Sequence, residues 1–237
     1  IVVRLVGSEM CIRDSIDWVA FSGCTSLSSI TIPKNVSEIG GSVFNGASNL
    51  NEIIVDPENA HYTAVDNSLY DKSLQTLVRC RADATDFIVP NTVKTLEWGA
   101  FAGRSNLTSV NIPDSVTSIG ERAFSECTGL ISISIPDGVQ KIKQNTFENC
   151  SALRQVVIPA SVTTIEENAF AGCSSLESVL FSGSAPVEYG IGDDEDASSS
   201  QELPLMATDA NAYVKPQYLS SFGAAGDSWS GLTLTEL

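Results

Sequence analysis

Cysteines recur at a fixed interval and are the first candidates for metal or redox chemistry. Four of them follow a phenylalanine by three residues: Cys24, Cys127, Cys150 and Cys173. On adjacent turns of a coil, such thiols would lie about 5 Å apart, within the Cα separation that a disulfide bridges. Their side chains would point in parallel, however, and the chain lacks the Cys-x-x-Cys pair typical of zinc sites. We predict buried, core-facing free thiols and no metal, with a disulfide or a metal site as the alternatives.

Catalytic groups are scarce, because His61 is the only histidine in the chain. A Ser–His–Asp or Cys–His arrangement needs that histidine beside a positioned nucleophile, and the sequence around His61 offers none. The acidic run 193–196 lacks the Asp-x-Asp-x-Asp-Gly pattern of a calcium loop, and Gly190-x-Gly192 lacks the third glycine of a dinucleotide site. We expect no enzyme activity and no cofactor, a surface position for His61, and a solvated acidic loop.

Charge and composition exclude further classes of function. The 237 residues include 29 acidic and 13 basic side chains, which give a net charge of −16. A chain this acidic is repelled by phosphate backbones and anionic lipid surfaces, so we expect no nucleic-acid partner. A hydrophobic content of 43% excludes wholesale disorder. No apolar run approaches the roughly 18 residues of a membrane-spanning helix, so we expect no membrane insertion.

A repeat of about 23 residues dominates the sequence, within the range of periods typical of solenoids. Its clearest marker is a phenylalanine, present at Phe21, Phe44, Phe101, Phe124, Phe147 and Phe170. A Leu-x-x-Ile-x-Ile segment, often followed by proline, begins six residues after each phenylalanine, and a Val-x-x-Ile segment comes next. Seven such segments begin at Leu27, Leu50, Ala84, Leu107, Leu130, Leu153 and Leu176. So many positions that share one period indicate a repeat architecture.

Each repeat predicts one coil, or rung, of a solenoid. The alternation in Leu-x-x-Ile-x-Ile is typical of a half-buried strand, and Val-x-x-Ile predicts a second short strand on the opposite side. The residues up to the phenylalanine predict a single helical turn. One rung cannot bury enough apolar surface to be stable alone, so neighbouring rungs must stack. We predict an α/β, strand-rich, right-handed solenoid of about seven rungs with a parallel sheet.

One repeat is longer than the others. The second rung runs from Leu50 to Ala84, whereas the first runs only from Leu27 to Leu50. We place the insertion at about residues 57–86. Within it, two apolar stretches flank Asp71-Lys72-Ser73, a pattern that predicts a β-hairpin. We expect this hairpin to protrude from the stack rather than to form a new domain.

The repeats resemble a known family. Residues 119–142, Ile-Gly-Glu-Arg-Ala-Phe-Ser-Glu-Cys-Thr-Gly-Leu-Ile-Ser-Ile-Ser-Ile-Pro-Asp-Gly-Val-Gln-Lys-Ile, resemble the BspA-type, or Treponema-type, leucine-rich repeat. The resemblance covers residues 16–181, including the Leu-Tyr-Asp-Lys hairpin. It implies a curved leucine-rich-repeat solenoid, typical of secreted or cell-surface proteins that adhere to host proteins or to other cells.

The two ends depart from the repeat. Residues 5–15 resemble a translated sequencing adapter, and the repeat starts at Ile16, so we interpret residues 1–15 as a non-native tail. On that hypothesis the natural N-terminus is missing, together with any signal or anchor for the expected extracellular or cell-surface location. Residues 182–237 are interpreted as an acidic loop followed by a C-terminal capping segment, which the last rung needs to cover its apolar edge.

The outward positions of the predicted main sheet are the candidate binding face. Most of them are uncharged and polar, but Val157 and Leu180 make an apolar spot on adjacent rungs. A rigid, weakly polar sheet with a local apolar spot suits protein or glycan binding. The alternatives are that the C-terminal segment covers the spot, or that the strands simply tolerate apolar residues. The candidate residues on this face are Ser132, Ser134, Gln155, Val157, Ser178 and Leu180.

Trp18 and Trp98 are two further candidates for partner binding. Both stand three residues before their phenylalanine, a position that should face solvent. An exposed tryptophan there can stack on a sugar or anchor a partner. For Trp98 the alternative is packing against the hairpin near Tyr62 or Tyr70.

Two functions of different classes remain after these exclusions. The first is a non-catalytic, adhesin-like interaction module of the cell surface that binds a protein or glycan through its sheet face. The second is a structural spacer or stalk that displays a lost N-terminal domain.

Overall fold

The fold is built almost wholly from short strands. This computed structural model describes residues 2–4, 14–189, 211–214, 216–219, 221, 228–229 and 232–236. In chain order the strands are β1 Val2–Arg4, β2 Ser15–Ile16, β3 Ser29–Ile32, β4 Glu38–Ile39, β5 Glu52–Val55, β6 Tyr62–Val65, β7 Ser68–Asp71, β8 Thr76–Arg79, β9 Asp86–Ile88, β10 Thr95–Leu96, β11 Ser109–Asn111, β12 Ser118–Ile119, β13 Ser132–Ser134, β14 Lys141–Ile142, β15 Gln155–Ile158, β16 Thr164–Glu166, β17 Ser178–Phe181, β18 Val187–Tyr189, β19 Asn211–Val214, β20 Ser228–Trp229 and β21 Leu232–Glu236. One short helix, α1, covers Pro216–Leu219.

The Leu-x-x-Ile-x-Ile segments form the main sheet, as predicted. Parallel ladders join β3 to β5, β9 to β11, and β13 to β15 and β17. The N–H of Ile131 donates to the carbonyl of Thr108 at 3.1 Å and links the fourth and fifth rungs. Equivalent residues of successive repeats are partners, so Ile133 lies beside Val156 and Val156 beside Val179. The stack is therefore the parallel-sheet leucine-rich-repeat solenoid that the period predicts.

Both ends of the main sheet are extended by strands outside the repeat. β1 pairs in parallel with β3, on the first rung. At the other end β19 pairs with β17, β21 pairs with β19, and β20 returns antiparallel to β21. Residues 5–13, most of the tail that the sequence analysis interprets as non-native, and the acidic run 193–196 lie outside the described residues. The apolar edge of the seventh rung is thus covered by paired strands.

The Val-x-x-Ile segments form short strands on the second side, which confirms that prediction. β2 pairs with β4, β10 with β12, and β16 lies between β14 and β18, all in parallel. Their hydrophobic residues point inward, and Ile119, Ile142 and Ile165 are almost completely buried.

The predicted single helical turn before each phenylalanine is wrong. This third side of the coil is a run of hydrogen-bonded turns, in which Arg122, Glu126 and Asn145 have positive φ angles of 53°, 60° and 56°. Left-handed residues cannot continue an α-helix. The backbone amides here also point to the next rung, since the Phe124 N–H donates to the carbonyl of Thr146 at 2.9 Å. Inter-rung bonding has replaced the i to i−4 bonds of a helix.

The insertion forms a three-stranded antiparallel unit, β6–β7–β8, rather than one hairpin. Asp66 and Asn67 between β6 and β7 both have positive φ, at 47° and 57°, as a type I′ turn requires. The predicted hairpin is β7–β8. Its expected protrusion from the stack is wrong, because β8 pairs in parallel with β10 and places Leu77 beside Leu96. The insertion therefore supplies a strand to the second sheet.

Stacked phenylalanines fill the core along the third side. The ring centroids of Phe101 and Phe124 are 4.8 Å apart, those of Phe124 and Phe147 5.4 Å, and those of Phe147 and Phe170 5.1 Å. The interplanar angles of 9°, 11° and 13° follow from the parallel rungs. The buried residues fall into two clusters, one in the first two rungs and one from Tyr70 to Phe181.

Replacing the central ring of this stack should weaken the whole solenoid. We expect Phe124→Ala to lower the free energy of unfolding by about 3–5 kcal/mol, because it leaves a cavity between two neighbouring rings. Urea unfolding followed by circular dichroism measures the change. The control is Ser132→Ala on the exposed sheet face, which should change that free energy by less than about 0.5 kcal/mol. An equal effect of the two substitutions would contradict the role of the stack.

Candidate functional site

The register of the main sheet aligns one outward row of side chains. Ser134 is paired with Val157, Val157 with Leu180, and Leu180 with Tyr213. Val157, Leu180 and Tyr213 are all partly exposed. Three neighbouring strands therefore carry one apolar row, called the apolar row below (Val157, Leu180 and Tyr213). Tyr213 was not among the predicted residues, because the repeat period ends before β19; the alternation of Ala212-Tyr213-Val214 was the available signal.

A polar row lies beside the apolar row on the same face. Ser132 is paired with Gln155, and Gln155 with Ser178. Ser132 and Gln155 are exposed, whereas Ser178 is half-buried. All three are uncharged, so a partner can displace water from them without removing an ionic charge from solvent. The six candidates on the sheet face thus form one continuous surface with a neutral polar row and an apolar row.

Further apolar residues on the sheet face lie toward the N-terminal rungs. Ile88 is 75% exposed and is paired with Asn111, while Ile54 is 46% exposed and is paired with Thr31. Sequence analysis did not single out Ile88, although its place in the Ile/Val-x-Ile-Pro step was readable. These isoleucines stand on separate ladders, so they are single exposed residues rather than part of the apolar row.

Trp18 and Trp98 lie on another side of the coil, next to strands of the second sheet. Their ring centroids are 6.4 Å apart, with the planes tilted by 58°. Trp18 is 65% exposed and Trp98 is half-buried. The two tryptophans occupy one position of the repeat, three residues before Phe21 and Phe101, and Gly41 occupies it before Phe44. The structure therefore brings these two candidates together and separates them from the six on the sheet face.

Gly40 and Gly41 allow the two tryptophans to meet although a turn of the coil lies between them. A Cβ on Gly40 would lie 2.9 Å from Trp18 Cδ1, and one on Gly41 would lie 3.3 Å from Trp18 Cζ2. The Trp18 ring therefore lies against the main chain of Gly40 and Gly41, which have no side chains, and extends toward Trp98. Trp98 and Tyr62 line the same cavity, which lies between the turn that contains Phe101 and the inserted strands.

That cavity, called the insertion cleft below, has a volume of about 210 Å³. It lies between the turn that contains Phe44 (the second turn) and the turn that contains Phe101 (the third turn), and the inserted strands form part of its wall. Its lining residues are Ile39, Gly40, Gly41, Ser42, Val43, Phe44, Asn45, Tyr62, Asp71, Thr76, Val78, Arg79, Glu97, Trp98 and Gly99. No signal in the period reveals this cleft, because it arises where the period is interrupted.

The insertion replaces the usual bonds between turns with bonds from the inserted segment. In the regular part of the stack, Phe101 and Phe124 donate their N–H groups to carbonyls of the following turn. Between the second and third turns, the N–H of Cys80 donates to the carbonyl of Ala100 at 2.7 Å instead. The carbonyls of the third turn are therefore satisfied by the insertion.

Two buried arginines add side-chain hydrogen bonds to the main-chain bond from the insertion. Arg79 is 2% exposed and donates from Nη1 to the Gly99 carbonyl at 2.6 Å and from Nη2 to the Ala102 carbonyl at 2.9 Å. Arg104 is 1% exposed and donates from Nε to the Cys80 carbonyl at 3.0 Å. Arg104 stands at the repeat position that cysteine occupies in other rungs. Arg104 also donates from Nη1 to the Ala47 carbonyl at 3.4 Å, so its guanidinium joins the turn that contains Phe44 to the turn that contains Phe101.

Neither buried arginine has a carboxylate partner among the residues described. Ion pairs in that part of the chain involve other residues: Lys34–Glu58, Arg81–Asp83, Arg122–Glu148 and Arg154–Glu177. Burial lowers the pKa of both guanidinium groups, and the neighbouring Arg104 lowers that of Arg79 further. Arg79 Nε and Arg104 Nη2 also lack hydrogen-bond partners within the described ranges.

The acidic groups of the cleft are held by backbone donors. Partial burial opposes ionisation of Asp71, but hydrogen bonds from the Ser73 side chain and from the Thr76 and Ser73 N–H groups outweigh it and lower its pKa. Glu97 is exposed and accepts the N–H of Trp98 through Oε2 at 3.1 Å. An ionised Asp71 carboxylate is a pure hydrogen-bond acceptor, and donors of its own loop already occupy both of its oxygens.

The repeated thiols are core residues, as predicted, with one exception. Cys127, Cys150 and Cys173 are buried and unpaired. Each donates from Sγ to the carbonyl of the phenylalanine in the preceding rung at 3.1–3.2 Å, namely Phe101, Phe124 and Phe147. Burial raises the pKa of Cys127 and Cys173 to about 12. Cys24 is exposed, so its predicted core position is wrong: it belongs to the first rung, where the described residues include no preceding turn to receive it.

Other candidate chemistry finds no geometric support in the described part of the chain. His61 is exposed, as predicted, and its main-chain N–H donates to Asn59 Oδ1 at 2.8 Å. Within the same residues, no three His, Cys, Asp or Glu side chains are grouped to hold a metal ion. No helix there is long and apolar enough to cross a membrane.

A family comparison matches most of the chain. Residues 13–81 and 78–187 match the family described as BspA type leucine rich repeat region, in six copies. No curated protein gives a match to the chain.

Solved structures with similar folds come from bacterial proteins. A leucine rich cell surface protein from Faecalibacterium prausnitzii is 35% identical over 72% of this chain and 52% of its own, with a TM-score of 0.59. A leucine-rich repeat protein from Eubacterium ventriosum is 25% identical over 89% of this chain and 57% of its own, with a TM-score of 0.55. The pneumococcal vaccine antigen PcpA superposes over 97% of this chain and 61% of its own, with a TM-score of 0.74 at 18% identity, which shows the fold alone. The chain thus spans between about half and three fifths of the length of these proteins.

The buried arginines give a test of how the insertion is held. We expect Arg79→Ala to lower the free energy of unfolding by about 2–4 kcal/mol, because the Ala102 carbonyl loses its side-chain donor and the Gly99 carbonyl keeps only the N–H of Ala102. The matched control is Arg154→Ala, whose ion pair with Glu177 is exposed and should contribute less than about 1 kcal/mol. Urea unfolding of both variants measures the difference. If Arg79→Ala costs no more than Arg154→Ala, the guanidinium does not hold the third turn.

Proposed function

The chain belongs to the BspA-type leucine-rich repeat family, and we propose that it is an adhesin-like module of the cell surface that binds a partner protein through the apolar row. The family implies a repeat-based interaction module, and its repeat proteins are typically non-catalytic. The proposal adds the location, the binding face and the class of partner.

The apolar row is the observation that carries the proposal. It places a valine, a leucine and a tyrosine on three adjacent strands, about 4.8 Å from one strand to the next. Protein interfaces commonly have such a centre, with an aromatic anchor and a surrounding polar rim. The polar row of Ser132, Gln155 and Ser178 supplies a rim on one side. The face therefore has the composition of a protein interface rather than of an ordinary solvated sheet.

Rigidity supports the same proposal. The outward side chains stand on parallel strands whose inward neighbours, such as Val156 and Val179, are completely buried. A partner that binds here orders few backbone groups, so little conformational entropy is lost on association. The regular spacing also fixes the distance between the three apolar side chains before binding.

Similarity to a cell surface protein supports a location for the chain, and its net charge supports a class of partner. The similar protein from Faecalibacterium prausnitzii is described as a cell surface protein, which supports a surface or secreted location for this chain. A net charge of −16 favours a partner with a neutral or basic surface, because like charges slow association.

A double substitution in the apolar row tests the proposal. The chain is screened against immobilised extracellular proteins (fibronectin, laminin, collagen and fibrinogen) by surface plasmon resonance. For a protein that binds, we expect Val157→Asp with Leu180→Asp to weaken binding at least about tenfold, because two carboxylates replace the apolar centre.

The control for this experiment is Val65→Asp, which also adds a carboxylate at an exposed valine but lies on β6 in the insertion. It should leave binding to the same protein unchanged. Unaltered binding by the double variant, with its circular dichroism spectrum intact, would remove the apolar row from the proposal and favour the spacer function.

A further inference from the structure

We infer that the insertion cleft binds a single neutral sugar residue of a glycan. This site lies on a different side of the coil from the apolar row and goes beyond the proposed protein-binding function. The inference rests on the size of the cleft, on Trp98 in its wall with the Trp18 ring beside it, and on the polar side chains of its lining.

The size of the cleft limits its occupant. Its volume of about 210 Å³ is below the roughly 300–1,000 Å³ of sites that hold drug-sized ligands. The main-chain walls at Gly40, Gly41 and Gly99 carry no side chains to fill it. One ring with its substituents fits this space, and a longer glycan must extend from the mouth into solvent.

Two indole rings suit a ring-shaped ligand with an apolar face. Trp98 is part of the wall, and the ring of Trp18 lies 6.4 Å from it over Gly40 and Gly41. The 58° tilt between the planes leaves the rings unstacked. Trp18 also keeps 65% of its surface in solvent, an unusual cost for the largest aromatic side chain. The C–H face of a sugar would cover this apolar surface.

The polar groups of the cleft match hydroxyl groups, which both donate and accept. Asp71 and Glu97 are acceptors, and the Thr76 hydroxyl can do either. Arg79 also lines the cleft, but its guanidinium is 2% exposed and bonds to the Gly99 and Ala102 carbonyls, so the hydroxyl partners are Glu97 and Thr76.

Charge selects a neutral sugar over an acidic one. The lining has two carboxylates, those of Asp71 and Glu97, against the single guanidinium of Arg79. The chain as a whole carries a net charge of −16. A uronic acid would bring a third carboxylate into the cleft, where like charges repel. An apolar peptide side chain is the other ring-sized occupant, but it has no hydroxyl group to donate to the Glu97 carboxylate in the wall.

The test is a titration of the whole chain with sugar probes. Methyl glycosides of glucose, galactose, mannose and N-acetylglucosamine, methyl glucuronide, and N-acetylphenylalanine amide are each added up to about 10 mM, a range that detects the weak binding of one small ligand. Saturation-transfer NMR reports contact with the ligand, and tryptophan fluorescence reports a change around the indoles. We expect at least one neutral glycoside to bind saturably, and methyl glucuronide to bind at least about tenfold more weakly.

Three variants locate the binding. Trp98→Ala and the milder Glu97→Gln should each weaken binding of that glycoside about tenfold or more. Val157→Asp with Leu180→Asp should leave glycoside binding unchanged, since both residues lie on the sheet face. This double variant is the one expected to weaken protein binding, so the two proposals can fail independently. Thermal unfolding confirms that each variant is folded. Should Trp98→Ala fail to fold, Glu97→Gln alone decides the result.

Any of three results would overturn the inference. The first is that no neutral glycoside binds, and the second is that methyl glucuronide or the phenylalanine amide binds more tightly than every neutral glycoside. The third is that a glycoside binds equally well to folded Glu97→Gln and to the unsubstituted chain.

Discussion

Alignment of one rung on the next is the constraint on which the rest of the structure depends. Each rung presents its strand amides, its turn amides and its phenylalanine ring to the same atoms of its neighbour, one repeat away along the chain. The Phe124 ring is held only because Phe101 and Phe147 stack on its two faces. A short turn with left-handed residues would not be stable alone, and it persists here because its N–H groups have acceptors in the next turn. Regularity in the sequence is therefore the physical source of stability.

The insertion shows what happens when that alignment is interrupted. Its last strand, β8, continues the second sheet. The turn that contains Phe44 and the turn that contains Phe101, however, do not meet directly. Arg79 and Arg104 bridge the gap with long side chains whose donors reach main-chain carbonyls. At the insertion the hydrophobic core is divided into two clusters, and a cleft remains beside the arginines. The regular rungs thus supply a flat face for a large partner, whereas the irregular one supplies a concavity for a small ligand.

The sequence predicted those features that depend on residues within one repeat. The strands and the buried Cys127 follow from side-chain alternation and period. The turn conformation was missed because its hydrogen bonds run to another rung, as from Phe124 to Thr146. Exposure of Cys24 depends on its place at the end of the stack, and the apolar row extends to Tyr213 across a break in the period. The cleft has no local signal, since its walls come together only in the folded chain.

Hydrogen exchange followed by mass spectrometry tests the central claim most directly, because it measures the opening of each rung separately. If the rungs are stable only through their neighbours, peptides covering residues 100–176 should exchange together, through one cooperative opening with the free energy of global unfolding. Low concentrations of denaturant should leave their protection equal. Independent exchange of single rungs in this range, each with its own free energy, would contradict the account.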